Sequence, residues 1–325
     1  MPNAKEPSSS DAYTKGPETV REDILSLVLE EHDLFRAQRA KRQELLTKME
    51  RHTVGGKKSA YLGFFCSESL GAAIDSDDIP ALGDALLSIG QVDQLNLIIN
   101  SPGGDGTVAE KIIELCRAYC TEFRVFVPNR AKSAATIIAL GADEIVMGYC
   151  SELGPIDAQV VVMVGGIPRY ISAQSFIDAR QSLEQAFRQA VAKKEDPRAI
   201  LQQIASLDIP FIDHCEKLMG FSREVARKYL ANYMFKSIRP IREQKKAIEL
   251  VLKGLSSVGI FKVHGRMIDG NTAKADLKLN VRLLGKDDPL WKELWQYYVR
   301  ADVQLSRPPG LAKLVETKNE VLFRR

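Results

Sequence analysis

The chain has 325 residues, with 45 lysine and arginine residues against 42 aspartate and glutamate and a formal charge of +3. That length suits one large domain or two ordinary ones with substantial cores, and a charge this near neutrality is no nucleic-acid signature. The five cysteines, Cys66, Cys116, Cys120, Cys150 and Cys215, are odd in number and form no CxxC pair, which argues against a disulfide frame or a structural zinc site.

In chain order, residues 1–18 are polar and lack an apolar targeting core. They read as a disordered arm, and no run of about 18 apolar residues follows anywhere, so the expectation is a cytoplasmic protein without a membrane span. Residues 19–54 read as an amphipathic helix with Ile24, Leu27, Val28, Phe35, Leu45, Leu46 and Met49 among dense charge. Its apolar stripe needs a partner, either the body of the same subunit or a neighbour. Residues 37–48 are basic and read as a solvated face rather than a nucleic-acid or membrane contact. Gly55-Gly56-Lys57-Lys58-Ser59 lacks the glycine spacing of a phosphate loop and is read as a linker turn.

From residue 61 onward the pattern alternates: strand 61–66, helix 79–89, strand 95–100, helix 107–120, strand 124–127, helix 133–140, strand 144–147. Such repetition implies right-handed parallel crossovers in an α/β core. Cys116 and Cys120 are expected one turn apart on the helix 107–120, as packing residues. Helices follow at 172–196, 208–235 and 241–255, then an extended segment at 259–268. Residues 286–325 read as an aromatic, helical tail in which Trp291, Trp295, Tyr297 and Tyr298 make a packing face or a subunit interface.

Two loops stand out within the alternating part. Asn100-Ser101-Pro102-Gly103-Gly104 closes an apolar strand, and glycines there let bare backbone N–H groups approach a ligand. Ala131-Lys132-Ser133-Ala134-Ala135-Thr136 places a hydroxyl at the head of an apolar helix, where unpaired N–H groups favour negative charge. A serine facing preorganised amides is the combination that acyl transfer requires. The plainer readings, a helix cap and a turn, suit either loop taken alone.

The runs INSPGG, AKSAATIIALGADEIVMG and SELGPIDAQ, in that order, resemble the Clp-type and signal-peptide-peptidase-A-type serine proteases. The resemblance is closest to the branch named serine dehydrogenase proteinase and extends over residues 58–285. It implies a Clp/crotonase-like α/β core of repeated ββα/βα units over residues 55–285, with Ser133 as nucleophile and an oxyanion hole from Gly103, Gly104 and Ala134. It also implies a peptide or protein substrate, a homo-oligomer and a possible separate unfoldase or regulatory partner. No cofactor, metal or nucleic acid is expected.

A serine hydroxyl needs a positioned base. Clp-type proteases carry a histidine about 25 residues after the nucleophile, but the matching segment here, residues 151–159, holds none. The signal-peptide-peptidase-A branch uses a lysine from the helical region beyond, where residues 170–183 hold none and Lys193 and Lys194 come late in a hydrophilic cluster. Val263-His264-Gly265 occupies the place of the Clp aspartate, and Asp157, 24 residues after Ser133, stands near the usual histidine position. The expectation is therefore an exchanged triad, with His264 as base and Asp157 orienting its imidazole, since triads are defined by geometry and not by chain order. His32 and His52 flank the N-terminal helix, His214 reads as a solvated helix residue, and Lys132 as a local electrostatic contributor. The competing functions are a crotonase-like acyl-CoA enzyme, which uses the same amides without a serine, and a catalytically weak oligomeric scaffold.

Overall fold

The computed structural model describes residues 34–68, 71–255, 267–306 and 311–324. In chain order the elements are α1 (Leu34–Glu50), β1 (Ser59–Cys66), α2 (Asp78–Ile89), β2 (Val92–Asn100), α3 (Gly106–Arg117), β3 (Cys120–Val127), β4 (Arg130–Ala131), α4 (Ala134–Leu140) and β5 (Glu144–Met147). These are followed by β6 (Glu152–Leu153), β7 (Gln159–Val164), β8 (Ile167–Ser172), α5 (Ala173–Lys193), α6 (Arg198–Ala205), α7 (Ile209–Asn232) and α8 (Ile241–Gly254). The described chain ends with β9 (Ile268–Asp269), α9 (Gly270–Ala275), β10 (Val281–Leu283), α10 (Pro289–Leu305), β11 (Lys313–Glu316) and β12 (Val321–Arg324).

The strand-helix alternation produces the expected parallel crossovers. The main sheet runs β10-β5-β3-β2-β1-β11-β12. It is parallel from β10 to β1 and antiparallel where β11 and β12 join. Successive side chains of a strand point to opposite faces, so strands covered on both sides must be apolar throughout. Leu97, Ile99, Phe64 and Val125 accordingly face the core under α2, α3, α4 and α8. Their neighbours Ile98, Phe65 and Phe126 face the core under α1 and α10.

The stripe of α1 finds its partner within the chain: Leu45, Leu46 and Met49 are buried with Trp291, Leu294 and Tyr297 of α10. Arg42 of α1 donates to Glu316 of β11 at 2.7 and 3.1 Å, and Tyr297 Oη donates to the same carboxylate at 3.3 Å. The part of the predicted helix before residue 34 lies outside the described residues.

Three of the features that differ from the sequence reading stand out. α3 stops at Arg117, and Cys120 begins β3 opposite Val92 rather than ending the helix; its Sγ donates back to Cys116 O at 3.4 Å. The turn is taken at Ala118–Tyr119 because the ladder with β2 starts there, with Val92 N–H donating to Tyr119 O at 3.0 Å. Residues 286–325 contribute α10 and two strands of the main sheet rather than a helical tail alone. The hairpin β7–β8 went unpredicted, although Gly165 and Gly166, with φ of 59° and 80°, are the pair that a two-residue hairpin turn with positive φ demands.

Candidate active site

Ser133 sits between β4 and α4 with φ 49° and ψ −118°, and its side chain makes no cap hydrogen bond to the helix it precedes. Positive φ is costly for a residue with a Cβ and persists only where the surroundings impose it. They do so from both sides of the serine. Ser133 N–H donates to Pro155 O at 3.2 Å, and Lys132 N–H to Ser101 O at 3.2 Å. Thr136, fully buried, donates from Oγ1 to Ala131 O at 2.7 Å and accepts from Gly154 N–H at 3.2 Å. One hydroxyl thus ties β4 and the β6 loop together around the serine. Lys132 is led away by Glu152, 2.7 Å from its Nζ.

The glycine loop meets this turn directly. Ser101 pairs with Ala131 as an isolated bridge, which lays the Pro-Gly-Gly loop alongside the serine turn. Gly103 has φ 108°, and a Cβ built there would stand 2.7 Å from Lys132 O and 2.7 Å from Ser133 Cβ. At Gly104, φ 153°, a Cβ would collide with the backbone of Ile74. Both positions therefore require glycine, for conformation and for space. Gly103 N–H is engaged, donating to Ser101 Oγ at 3.1 Å. The loop bonds pair Ile74 N–H with Gly103 O and Asp105 N–H with Ile74 O, which leaves the N–H groups of Gly104 and Ala134 without an acceptor among the described residues.

These loops open on a cavity of about 470 Å³ lined by Ser133, Ala134, Gly103 and Gly104, with Ile74, Thr107, Ile137, Ala158, Leu218 and Phe221 among its other walls. The walls from α7, Leu218 and Phe221, and the loop residue Ile74 were not anticipated; their only sequence trace is an apolar residue at a helical or loop position. Thr136 and Ser101 lie inside the quoted motifs, but nothing in the sequence distinguishes a structural hydroxyl from a reacting one.

Asp157 is buried in the segment between β6 and β7, two residues after Pro155 and next to Ala158 of the cavity wall. His264 lies outside the described residues. Lys193 and Lys194 end α5 and are exposed. His214 is exposed on α7, while His52 is not a bare surface residue, since its Nε2 lies 2.9 Å from Glu293 Oε2; His32 lies outside the described residues. Burial pushes the Cys66 thiol, which touches Ser101, up to about 12, and the Cys120 thiol up to about 11, so neither supplies a thiolate near neutrality. Among the described residues no cluster of metal-ligating side chains occurs, and no helix is long and apolar enough to cross a membrane.

Ser133, with positive φ, thus stands against a glycine turn beside a largely parallel sheet. Residues 31–187, a little under half of the chain, match the family of ClpP-like SDH-type serine proteinases. The mixed α/β architecture is the Clp/crotonase-like fold of that family. Two uncharacterised proteins of Methanocaldococcus jannaschii, MJ0137 and MJ1495, are 44% and 36% identical to this chain over 66 residues, which is 20% of this chain and 23% of each relative. The match thus spans less than a quarter of the length of these curated relatives.

Proposed function

We propose that the protein is a serine peptidase acting through an acyl-enzyme on Ser133. Ser133 Oγ attacks the scissile carbonyl as its proton passes to the base. The developing oxyanion is held by backbone N–H groups, and the amine leaves with that proton. Water then repeats the sequence to release the acid. The loop hydrogen bonding favours Gly104 and Ala134 as the oxyanion donors, since Gly103 N–H is already given to Ser101. Gly103 is then the residue whose missing side chain lets the two turns touch.

His264 is the proposed base, oriented by Asp157. Support comes from both ends of the stretch that carries it. Leu255, which precedes it, accepts from Ile156 N–H at 3.0 Å, and Ile268, which follows it, pairs with Leu153. The stretch therefore leaves the described chain next to Ile156 and rejoins it opposite Leu153, both within the few residues that lead up to Asp157. From Met267 to His264 is three residues, a reach of about 10 Å at most. The peptide substrate, a homo-oligomer and an unfoldase or regulatory partner belong to the same proposal.

The observation that carries the reading is the backbone of Ser133: a residue that merely capped α4 would need neither positive φ nor a glycine turn against its Cβ. Fluorophosphonate treatment followed by mass spectrometry tests it. The adduct is expected on Ser133 and absent in Ser133→Ala. Labelling elsewhere with unchanged hydrolysis by Ser133→Ala would end the proposal, and thioester turnover without labelling would point to an acyl-CoA enzyme.

A further inference from the structure

The Gly103-Gly104 turn rests on Ile74. Ile74 N–H donates to Gly103 O at 2.8 Å, its carbonyl accepts from Asp105 N–H at 2.9 Å, and its backbone fills the space a side chain on Gly104 would need. The direction of the Gly104 N–H follows wherever Ile74 is held. The next residue fixes it: Asp75 N–H donates to Asp78 Oδ2 at 2.9 Å. Lys313 Nζ donates to both Asp78 oxygens at 2.8 Å and lies 3.2 Å from Asp75 Oδ2.

Lys313 is 2% exposed. It sits on β11 opposite Cys66 at the end of β1, and 235 residues separate it from Asp78. A buried ammonium is costly unless fully paired, and an apolar side chain of similar volume commonly serves stability as well or better. Stability alone therefore gives little reason for a lysine here. Its three donors have a geometric use: they gather Asp75 of the loop and Asp78 at the start of α2, and pin the loop to the sheet.

We propose that Lys313 is a positioning residue for the oxyanion turn, fixing Ile74 through Asp75 and Asp78 and thereby aiming the Gly104 N–H at the carbonyl attacked by Ser133. The proposal rests on the reading of Ser133 as nucleophile. It assigns a part of the site to a residue outside the 31–187 stretch that matches the family.

The test uses full-length protein and a chromogenic peptide, with rates normalised to the folded fraction measured by circular dichroism. Lys313→Met removes the donors, and Asp78→Asn combined with Lys313→Met removes both buried charges, so that folding is spared. Asp75→Asn is the milder probe, because that carboxylate is partly exposed. Arg42→Met with Glu316→Gln breaks a second buried pair that contacts the same strand but not the loop. Displacing one oxyanion donor predicts a fall in kcat of about tenfold or more in the Lys313 variants, with KM nearly constant and a matching slowing of fluorophosphonate labelling. Asp75→Asn should fall severalfold, Lys313→Arg should recover part of the loss, and the Arg42/Glu316 variant should keep its kcat. An equal loss in that control, or normal kcat in the Asp78/Lys313 double variant, would overturn the assignment. If wild type and Ser133→Ala hydrolyse alike, the nucleophile reading itself has failed and this assignment falls with it.

Discussion

Gly103 is where conformation and chemistry meet most closely. With φ 108° and Ser133 Cβ 2.7 Å from where its own Cβ would stand, even alanine must push the two turns apart. Gly103→Ala should therefore keep the sheet and the far-ultraviolet spectrum while kcat falls on the order of a hundredfold or more, because moving the turn displaces the Gly104 N–H and losing one oxyanion donor costs about a hundredfold to a thousandfold. A fully active Gly103→Ala would reduce this loop to a simple turn. The exchanged triad makes the second residue-scale prediction. His264→Ala should lose activity nearly as completely as Ser133→Ala, with the double variant no worse, because members of one catalytic unit are not additive. Asp157→Asn should be milder. The rate should fall below about pH 6.5, since a base must be unprotonated to accept the serine proton and an imidazole of ordinary pKa loses that capacity there. Full activity in His264→Ala, with loss on changing Lys193 or Lys194 instead, would mean a serine–lysine dyad.

At the scale of elements, the serine turn is held by a clasp rather than by the helix it heads. Thr136 joins Ala131 to Gly154 across the turn, so Thr136→Val, nearly the same in volume, removes its bonds to Ala131 O, Gly154 O and Gly154 N–H and leaves these buried backbone groups without that partner. A folded protein with a lower kcat, recovered in Thr136→Ser, is the expected outcome. Equal kcat in Thr136→Val would show that Ser133 N–H to Pro155 O suffices. This clasp also marks the limit of what the sequence discloses. The parallel core was legible because buried strands are almost wholly apolar, as in residues 95–99 where Asn96 alone is polar, and because loops that need bare backbone advertise themselves with glycine. The antiparallel additions were not. β11, Lys313–Glu316, carries two buried charges whose partners lie at Asp78 and Arg42, and a strand whose polar residues are neutralised by distant ion pairs looks like solvated chain when read alone. Leu218 and Phe221 escaped for a related reason: a residue lining a cavity and one filling a core have the same helical spacing.

At the scale of the whole molecule, the apolar faces that the sequence offers to a neighbour are largely spent within the chain. The described part of α1 packs on α10, and Trp291, Tyr297 and Tyr298 are buried with it. The Arg42–Glu316 pair ties α1 to β11 without exposure of either side chain, and Tyr297 of α10 donates to the same carboxylate. Among the described residues, the exposed apolar side chains concentrate instead on the hairpin β7–β8. There Val161, Met163 and Ile167 are 54%, 65% and 60% exposed, while only Val160 and its neighbours anchor the base to α5 and α7. A two-stranded hairpin is marginal by itself and has unpaired edges on both sides. If the protein is the proposed homo-oligomer, the hairpin is the element with most to gain from a second copy. Light scattering at low micromolar concentration should give a mass several times 36.1 kDa. Met163→Lys with Ile167→Lys should lower that mass while the circular dichroism of the core is unchanged, because neither side chain belongs to a buried cluster. A wild-type monomer with full peptidase activity would overturn the oligomer, and an unchanged mass in the double variant would move the contact to another face.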